Sequence, residues 1–303
     1  MLKFLARRLI ALAAVVVMVT VVTWISIHGL RPEAFAFDQR PTLEQLGDYL
    51  YQAFVHFELG NSFQRPNPPV SAMVREGLPA DVVLLVGGMA FGLILGLAAG
   101  TFVGSQPRRP LARGIEAVSM FFLCAPVYVV GLSALLVFGT GIAVSGFGFI
   151  PVKYVPFEES PAGWLGSMIV PWIVVGLPLA AVCERMMNSS VREVLHEEFI
   201  RTALSKGISH RRMLRRHAVP AAAAPVLTVA GVSVPVMVTN MVLVELTFSI
   251  PGIFQTFRSS MDNEDYPVIM GIVISAAILV ALGSLLVDLA LAWLDPKTRA
   301  SIA

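Results

Sequence analysis

The chain has 303 residues, of which 56% are hydrophobic and 14% charged, with a mean hydropathy of +0.76 and a formal net charge of +2. Soluble domains carry roughly a quarter charged residues, so this composition excludes a soluble enzyme and places the chain among integral membrane proteins. Cys124 and Cys183 fall in separate apolar runs with no CxxC or Cys/His ligand spacing, a pattern of buried thiols in packed helices rather than of a disulfide or metal framework.

The opening run, MLKFLARRLIALAAVVVMVTVVTWISIHG, places Lys3, Arg7 and Arg8 before an apolar stretch from Leu9 to Ile27. The stretch has about the twenty residues that cross a bilayer, and no small-x-small cleavage site follows it. It is read as a retained first helix, residues 1–29. A polar segment, 30–80, follows with the run RPNPPV. It is long enough for a small external subdomain and too short for an independent core.

Further apolar spans near 82–105, 115–139, 166–187, 222–248 and 267–292 bring the expected number of transmembrane helices to six. The second carries Gly88, Gly92, Gly96, Gly100 and Gly104, a ladder at a spacing of four. Such a stripe lies on one helix face, where a neighbouring backbone can come close. Close packing is one reading of it; a smooth surface on which helices slide or rock is the other. The loop GFGFIPVKYVPFEESPAGW, rich in glycine and proline, is expected to be irregular and folded onto the helix ends. Pro126, Pro171, Pro178, Pro225 and Pro235 interrupt the third to fifth spans. A proline inside a helix removes one backbone hydrogen bond and kinks the axis, which in a membrane points to a cavity or hinge along a transport path.

Charge orients these spans. With the amino terminus in the cytoplasm, sixteen of the 22 lysines and arginines lie inside, and only Arg31, Arg40, Arg65, Arg75, Lys153 and Arg258 lie outside. This positive-inside bias makes both termini cytoplasmic and residues 188–220 a cytoplasmic loop.

That loop contains EEFIRTALSKGISHRRMLRRHAVP, residues 197–220. Phe199, Ile200, Ala203 and Leu204 gather on one side of a helix, while Arg201, Ser205 and Lys206 turn the other way. Gly207 is placed to close that helix in the left-handed conformation, and Ser209 to cap a second one running through Met213 and Leu214 to the membrane near Pro220. Arg211 with Arg215, and Arg212 with Arg216, are like charges one turn apart that ask for an anionic neighbour. Lipid phosphates satisfy the arginines; the apolar patch suits a groove on a cytoplasmic protein. Nucleic acid is not expected there, since no stacking aromatic platform accompanies the charge.

EEFIRTALSKGISHRRMLRRHAVPAAAAPVLT resembles the EAA loop of bacterial ABC-importer inner-membrane permeases. The closer likeness is to the dipeptide, oligopeptide and nickel branch, whose pattern runs Y-x-R-T-A-R-A-K-G, then a basic helix and H-A-L-R-N-A. VELTFSIPGIFQTFRSSMDNEDYPVIMG and LLVDLALAWLDPKTR are similar to that branch's V-E-x-x-F-x-x-P-G, D-Y-P and D-P-R-x-R signatures, and FELGNSF with PPVSAMVREGLPAD to its external segment. The chain departs from the branch at Pro220 and Ala221, where Arg-Asn is usual, and at Arg31, Pro32 and Glu33, which stand in place of G-D-P.

The resemblance implies an all-α polytopic membrane protein of the type I ABC importer permease fold, with six transmembrane helices, a small external segment and a five-helix core over 81–303. It implies that the first short helix of the loop is a coupling helix seated in an ATPase subunit, through Phe199, Arg201, Thr202, Ala203, Lys206 and Gly207. The implied partners are a second homologous permease, two ATPase subunits or domains, an external substrate-binding protein and membrane lipid, in a bacterial inner membrane. No cofactor belongs to this chain. ATP and Mg are bound by the partner subunits, as the lack of a GxxxxGK[ST] loop also indicates. Short peptides are the implied cargo, with nickel or glutathione as alternatives within the branch.

Glu245 and Asp288 lie in apolar stretches where an ionised group is expensive. Glu245, with Pro178 and Pro235, is a candidate for the path or external gate, or for contact with a peptide ammonium; a structural hydrogen bond is the other reading. Asp288 is read as structural, paired with a cytoplasmic base. Asp262, Glu264 and Asp265 precede the last span, either favouring its amino terminus or helping to seat an external binding protein. Functions of other classes are an intramembrane hydrolase, for which no GxSxG or HExxH is present, and a stand-alone channel, which has no use for a knob at 197–209.

Overall fold

The computed structural model describes residues 2–30, 40–64, 66–140, 144, 148, 151 and 153–294. Arg31, Pro32, Glu33, Arg65 and the DPKTR run at 295–299 lie outside the described residues, as do 146–147, 149–150 and 152 of the Gly/Pro-rich loop. The described elements are helical. In chain order they are α1 (Leu2–Leu30), α2 (Thr42–Tyr51) with a π-helical turn (Gln52–His56), α3 (Val70–Ser105), α4 (Pro110–Cys124), α5 (Val127–Phe138) and α6 (Pro161–Val194). There follow α7 (Glu198–Ser205), α8 (His210–Met213), a π segment (Leu214–Ala218), α9 (Val219–Phe248), a 3-10 turn (Ile253–Thr256), α10 (Phe257–Asp262) and α11 (Tyr266–Leu294).

The chain is an all-α polytopic membrane protein. Among the described residues, five stretches are long and apolar enough to cross a bilayer, and α4 with α5 makes a sixth if that bent pair counts as one span. In a hydrocarbon solvent the backbone must satisfy its own hydrogen bonds, so each apolar run folds as helix. The third span differs from a single kinked helix: α4 and α5 meet at 109°. Pro126 is the cause. Ala125 before it is extended (φ −70°, ψ 129°), as a residue preceding proline prefers, and Pro126 itself continues extended (φ −60°, ψ 127°). Pro171 and Pro178 in α6, and Pro225 and Pro235 in α9, by contrast lie inside continuous helices. α3 begins twelve residues before its apolar span, directly after Pro68 and Pro69.

The chain divides into two compact units, Met1–Val83 with Ile250–Leu282, and Leu84–Ser249 with Gly283–Ala303. In the first, α1 buries Val16, Thr20 and Trp24, a stripe at a spacing of four, and leaves much of its apolar surface exposed. The segment between α1 and α3 closes on itself through the bridge Asn61–Pro69 and the bond from Val70 N to Gly60 O (3.0 Å). The buried Asp265 secures it: its carboxylate accepts from Ser62 Oγ at 2.5 Å and from Phe63 N at 3.1 Å. The Pro251-Gly252 turn is held the same way, with Asp81 Oδ2 accepting from Ile253 N at 3.1 Å. Gly77 lets that turn pass, since a Cβ there would stand 2.8 Å from Ile253 N.

In the second unit α6 packs on α3, α4, α5 and α9. The glycine ladder of α3 is a close-packing surface. Cβ atoms added at Gly92, Gly96, Gly100 and Gly104 would fall 2.8, 2.8, 2.5 and 2.8 Å from the carbonyl oxygens of Gly176, Ala180, Glu184 and Asn188. Both helices advance by four residues at each contact, so they run parallel with backbone against backbone. Small residues that let helices touch in this way favour van der Waals packing and Cα–H···O contacts in lipid.

Candidate functional site

The loop between α6 and α9 is built like a small domain. α6 ends at Val194, and Glu197, extended at φ −66° and ψ 148°, precedes α7. Ile200, 1% exposed, and Ala203 face inward onto the fully buried Met213 and Ala218, with Val194, Leu195, Ile208 and Leu214 around them. Burying a side chain such as Ile200 or Met213 contributes about 1.5–3 kcal/mol, so the two arms of the loop are fastened along this seam.

Gly207 makes the bend. Its φ is +78°, and a Cβ added there would meet nothing within 4 Å, so the position needs glycine for its conformation and not for room. The turn is a complete Schellman motif: Ile208 N donates to Ala203 O (3.3 Å) and Gly207 N to Leu204 O (2.9 Å), and Ile208 packs into the seam. Ser209 occupies the N-cap position of α8, but its side chain makes no capping bond; its carbonyl accepts from Met213 N at 2.9 Å.

From His210 the chain runs as one helical stretch to Phe248. The π segment within it follows from Pro220, which has no N–H to donate and whose ring crowds the carbonyl four residues back. Val219 N bonds instead to Leu214 O, five residues back. A rigid connection therefore joins the bend at Gly207 to α9.

The structure sorts the sequence-derived coupling residues into two groups. Phe199 (47% exposed), Arg201, Thr202 and Lys206 lie on the outer surface, as does Leu204 (42%). Phe199, Thr202 and Lys206 stand at i, i+3 and i+7, along one edge of the helix and its end. Ala203 does not join them: it is turned into the seam with Ile200, Met213 and Ala218. Ile200, counted with the apolar patch, is internal for the same reason. Arg211, Arg212, Arg215 and Arg216 are exposed and meet no carboxylate among the described residues.

The other candidates lie elsewhere. Glu245 is fully buried on α9, three turns beyond Pro235, which is exposed; Pro178 on α6 is half-buried. Asp262 is exposed beside Arg258 at 3.9 Å, and Glu264 is exposed with φ +53°. Asp265 is buried, and its two oxygens accept from Ser62 Oγ and Phe63 N. Sequence reasoning passed over Asp81 and the pair Glu116 and Glu184, although a lone acid inside the apolar run of α6 is itself a signal.

Residues 88–300 match the family model of the binding-protein-dependent transport system inner membrane component. The oligopeptide transport system permease protein AppB of Bacillus subtilis is 29% identical over 80% of this chain and 76% of its own length. The dipeptide transport system permease protein DppB of the same organism is 26% identical over 99% of this chain and 98% of its own. A Brucella abortus protein named as a peptide transport system permease is 31% identical over 86% of this chain and 81% of its own.

Proposed function

Because the chain belongs to the family of binding-protein-dependent transport system inner membrane components, we propose that it is one of two permease subunits of an ATP-driven importer of short peptides. It is a non-catalytic, multi-pass membrane subunit, and its part is mechanical. Phe199, Arg201, Thr202 and Lys206 form the contact with an ATPase subunit, Leu204 flanks it, and Ala203 and Gly207 keep the contact surface in shape. ATP binding draws two ATPase subunits together. A knob seated in each moves with it, and the unbroken helix from His210 to Phe248 carries the displacement into the membrane. Such rocking exchanges access between the two sides.

The observation that supports this reading is the combination of a seam-fastened bend with an exposed outer edge, in a loop whose far arm continues directly into a membrane span. Glu245, Pro178 and Pro235 are assigned to the path or gate, and Asp262 and Glu264 to the seat of an external binding protein. Peptide cargo follows from the oligopeptide and dipeptide permeases that the chain is similar to. The test is reconstitution of the chain with its partner permease, ATPases and binding protein in proteoliposomes. ATP-dependent uptake of labelled di- and oligopeptides is expected, and uptake by this chain alone, without ATPases, would refute it.

A further inference from the structure

Glu184 is 1% exposed, and neither of its carboxylate oxygens has a hydrogen-bond partner among the described residues. Ser119, Glu116, Arg185 and Arg192 stand around it. Glu116, on α4, accepts from Asn188 Nδ2 at 2.9 Å and from Arg192 Nη2 at 3.2 Å. These groups and Arg185, whose Nη1 points at Met120 Sδ 3.8 Å away, line a polar hollow of about 330 Å³ between α4 and α6. Glu184 also lines a second chamber, of about 690 Å³, walled almost wholly by apolar side chains such as Leu95, Leu111, Val118 and Phe122. Gly114 lines it too, and a Cβ there would meet nothing within 4 Å.

A charged hollow and an apolar chamber that share Glu184 set three conditions on an occupant. It needs a hydrocarbon part for the chamber, whose volume falls in the range of small-molecule sites, about 300–1,000 Å³. It needs a cation with N–H donors, since a buried carboxylate without a partner is strongly unfavourable. And it needs an anion for Arg185, whose one close polar contact among the described residues is Met120 Sδ, Arg192 being paired with Glu116. A bare metal ion leaves the apolar chamber unexplained, an anionic lipid lacks the cation, and a choline headgroup has no N–H to donate. We propose that this double pocket holds a phospholipid with an ethanolamine headgroup. Its ammonium, with three donors, meets Glu184, its phosphate meets Arg185, and one acyl chain fills the chamber. The arginines of the positive-inside bias place it in the cytoplasmic leaflet, where it bridges α4 to α6 next to the loop.

The test uses the intact complex with its partner subunits, reconstituted in nanodiscs of equal parts phosphatidylethanolamine, phosphatidylcholine and phosphatidylglycerol. The particles are released into mild detergent, and native mass spectrometry counts the retained lipid. Selective retention of phosphatidylethanolamine is expected. Glu184→Gln, which keeps the volume and removes the charge, should lower it about tenfold, equivalent to about 1.4 kcal/mol. Gly114→Leu projects a side chain into the empty chamber and should lower retention with assembly unchanged; it also decides the matter if Glu184→Gln does not fold. Retained lipid that mirrors the disc composition, or retention unchanged by Gly114→Leu, overturns the proposal. So does a Gly114→Leu complex that falls apart, because a helix of a partner subunit then occupies the chamber.

Discussion

Replacing Gly207 separates the two things a glycine can provide, conformation and space. At φ +78° an L-residue is strained by about 1–2 kcal/mol, and the open space around the Cβ position adds no clash. Opposing that strain are two turn hydrogen bonds at about 0.5–1.5 kcal/mol each and the burial of Ile200 and Met213 at about 1.5–3 kcal/mol each. The retaining terms are larger, so Gly207→Ala should keep the bend and lose only about 1–2 kcal/mol of its local stability. Gly207→Pro is another matter. The ring holds φ near −65°, roughly 140° from the observed +78°. It deletes the N–H that bonds Leu204 O at 2.9 Å, and it drives Lys206 out of φ −78°, ψ 6° toward extended backbone. With the Schellman motif gone, α7 loses its seam. The assay is ATP-driven uptake in proteoliposomes, read beside ATPase co-purification and the far-ultraviolet dichroism of the complex. Gly207→Ala should transport within about threefold of the parent, and Gly207→Pro should lose at least about tenfold with the membrane helices intact, each tenfold being about 1.4 kcal/mol. Normal transport by Gly207→Pro refutes the mechanical reading; equal damage by both variants refutes the claim that only conformation matters.

Phe199→Ala should weaken ATPase binding by about 2 kcal/mol, roughly thirtyfold, with the chain's thermal midpoint unchanged, since truncating an exposed aromatic anchor removes contact and no core; titration of ATPase onto the reconstituted permease pair measures it. Gly100→Leu should prevent normal packing of α3 on α6, because its Cβ alone falls 2.5 Å from Glu184 O, whereas Gly114→Ala, facing open space, should be neutral. Thermal midpoints of the two purified variants read the difference, with overpacking worth about 1–3 kcal/mol. Asp265→Ala leaves Ser62 Oγ and Phe63 N without their acceptor and should destabilise the segment between α1 and α3 by roughly 2–4 kcal/mol. Faster proteolysis within residues 40–69, with the remaining helices protected, is the expected readout.

Much of this molecule follows from local sequence because lipid leaves the backbone few choices. Apolar runs of bilayer length become helices, and the spans read near 166–187, 222–248 and 267–292 lie within α6, α9 and α11. Gly207 closes α7 as its place in the pattern predicts, and the ladder from Gly88 to Gly104 packs backbone to backbone because only hydrogen occupies that face. Partner choice is a different quantity. Helical periodicity put Phe199, Ile200, Ala203 and Leu204 on one side, but which of them turns inward depends on where Met213 and Ala218 arrive from the other arm. Proline identity is equally indecisive: Pro126 breaks its span, whereas Pro171, Pro178, Pro225 and Pro235 sit in unbroken helices. Asp265 reads as a helix-terminal or surface charge until the fold brings Ser62, 203 residues away, to its carboxylate. The chain's local pattern thus determined where helices form and where one must bend, through backbone hydrogen bonding and side-chain size. Tertiary structure decided which polar and apolar groups meet, because that depends on contacts between segments far apart in the chain.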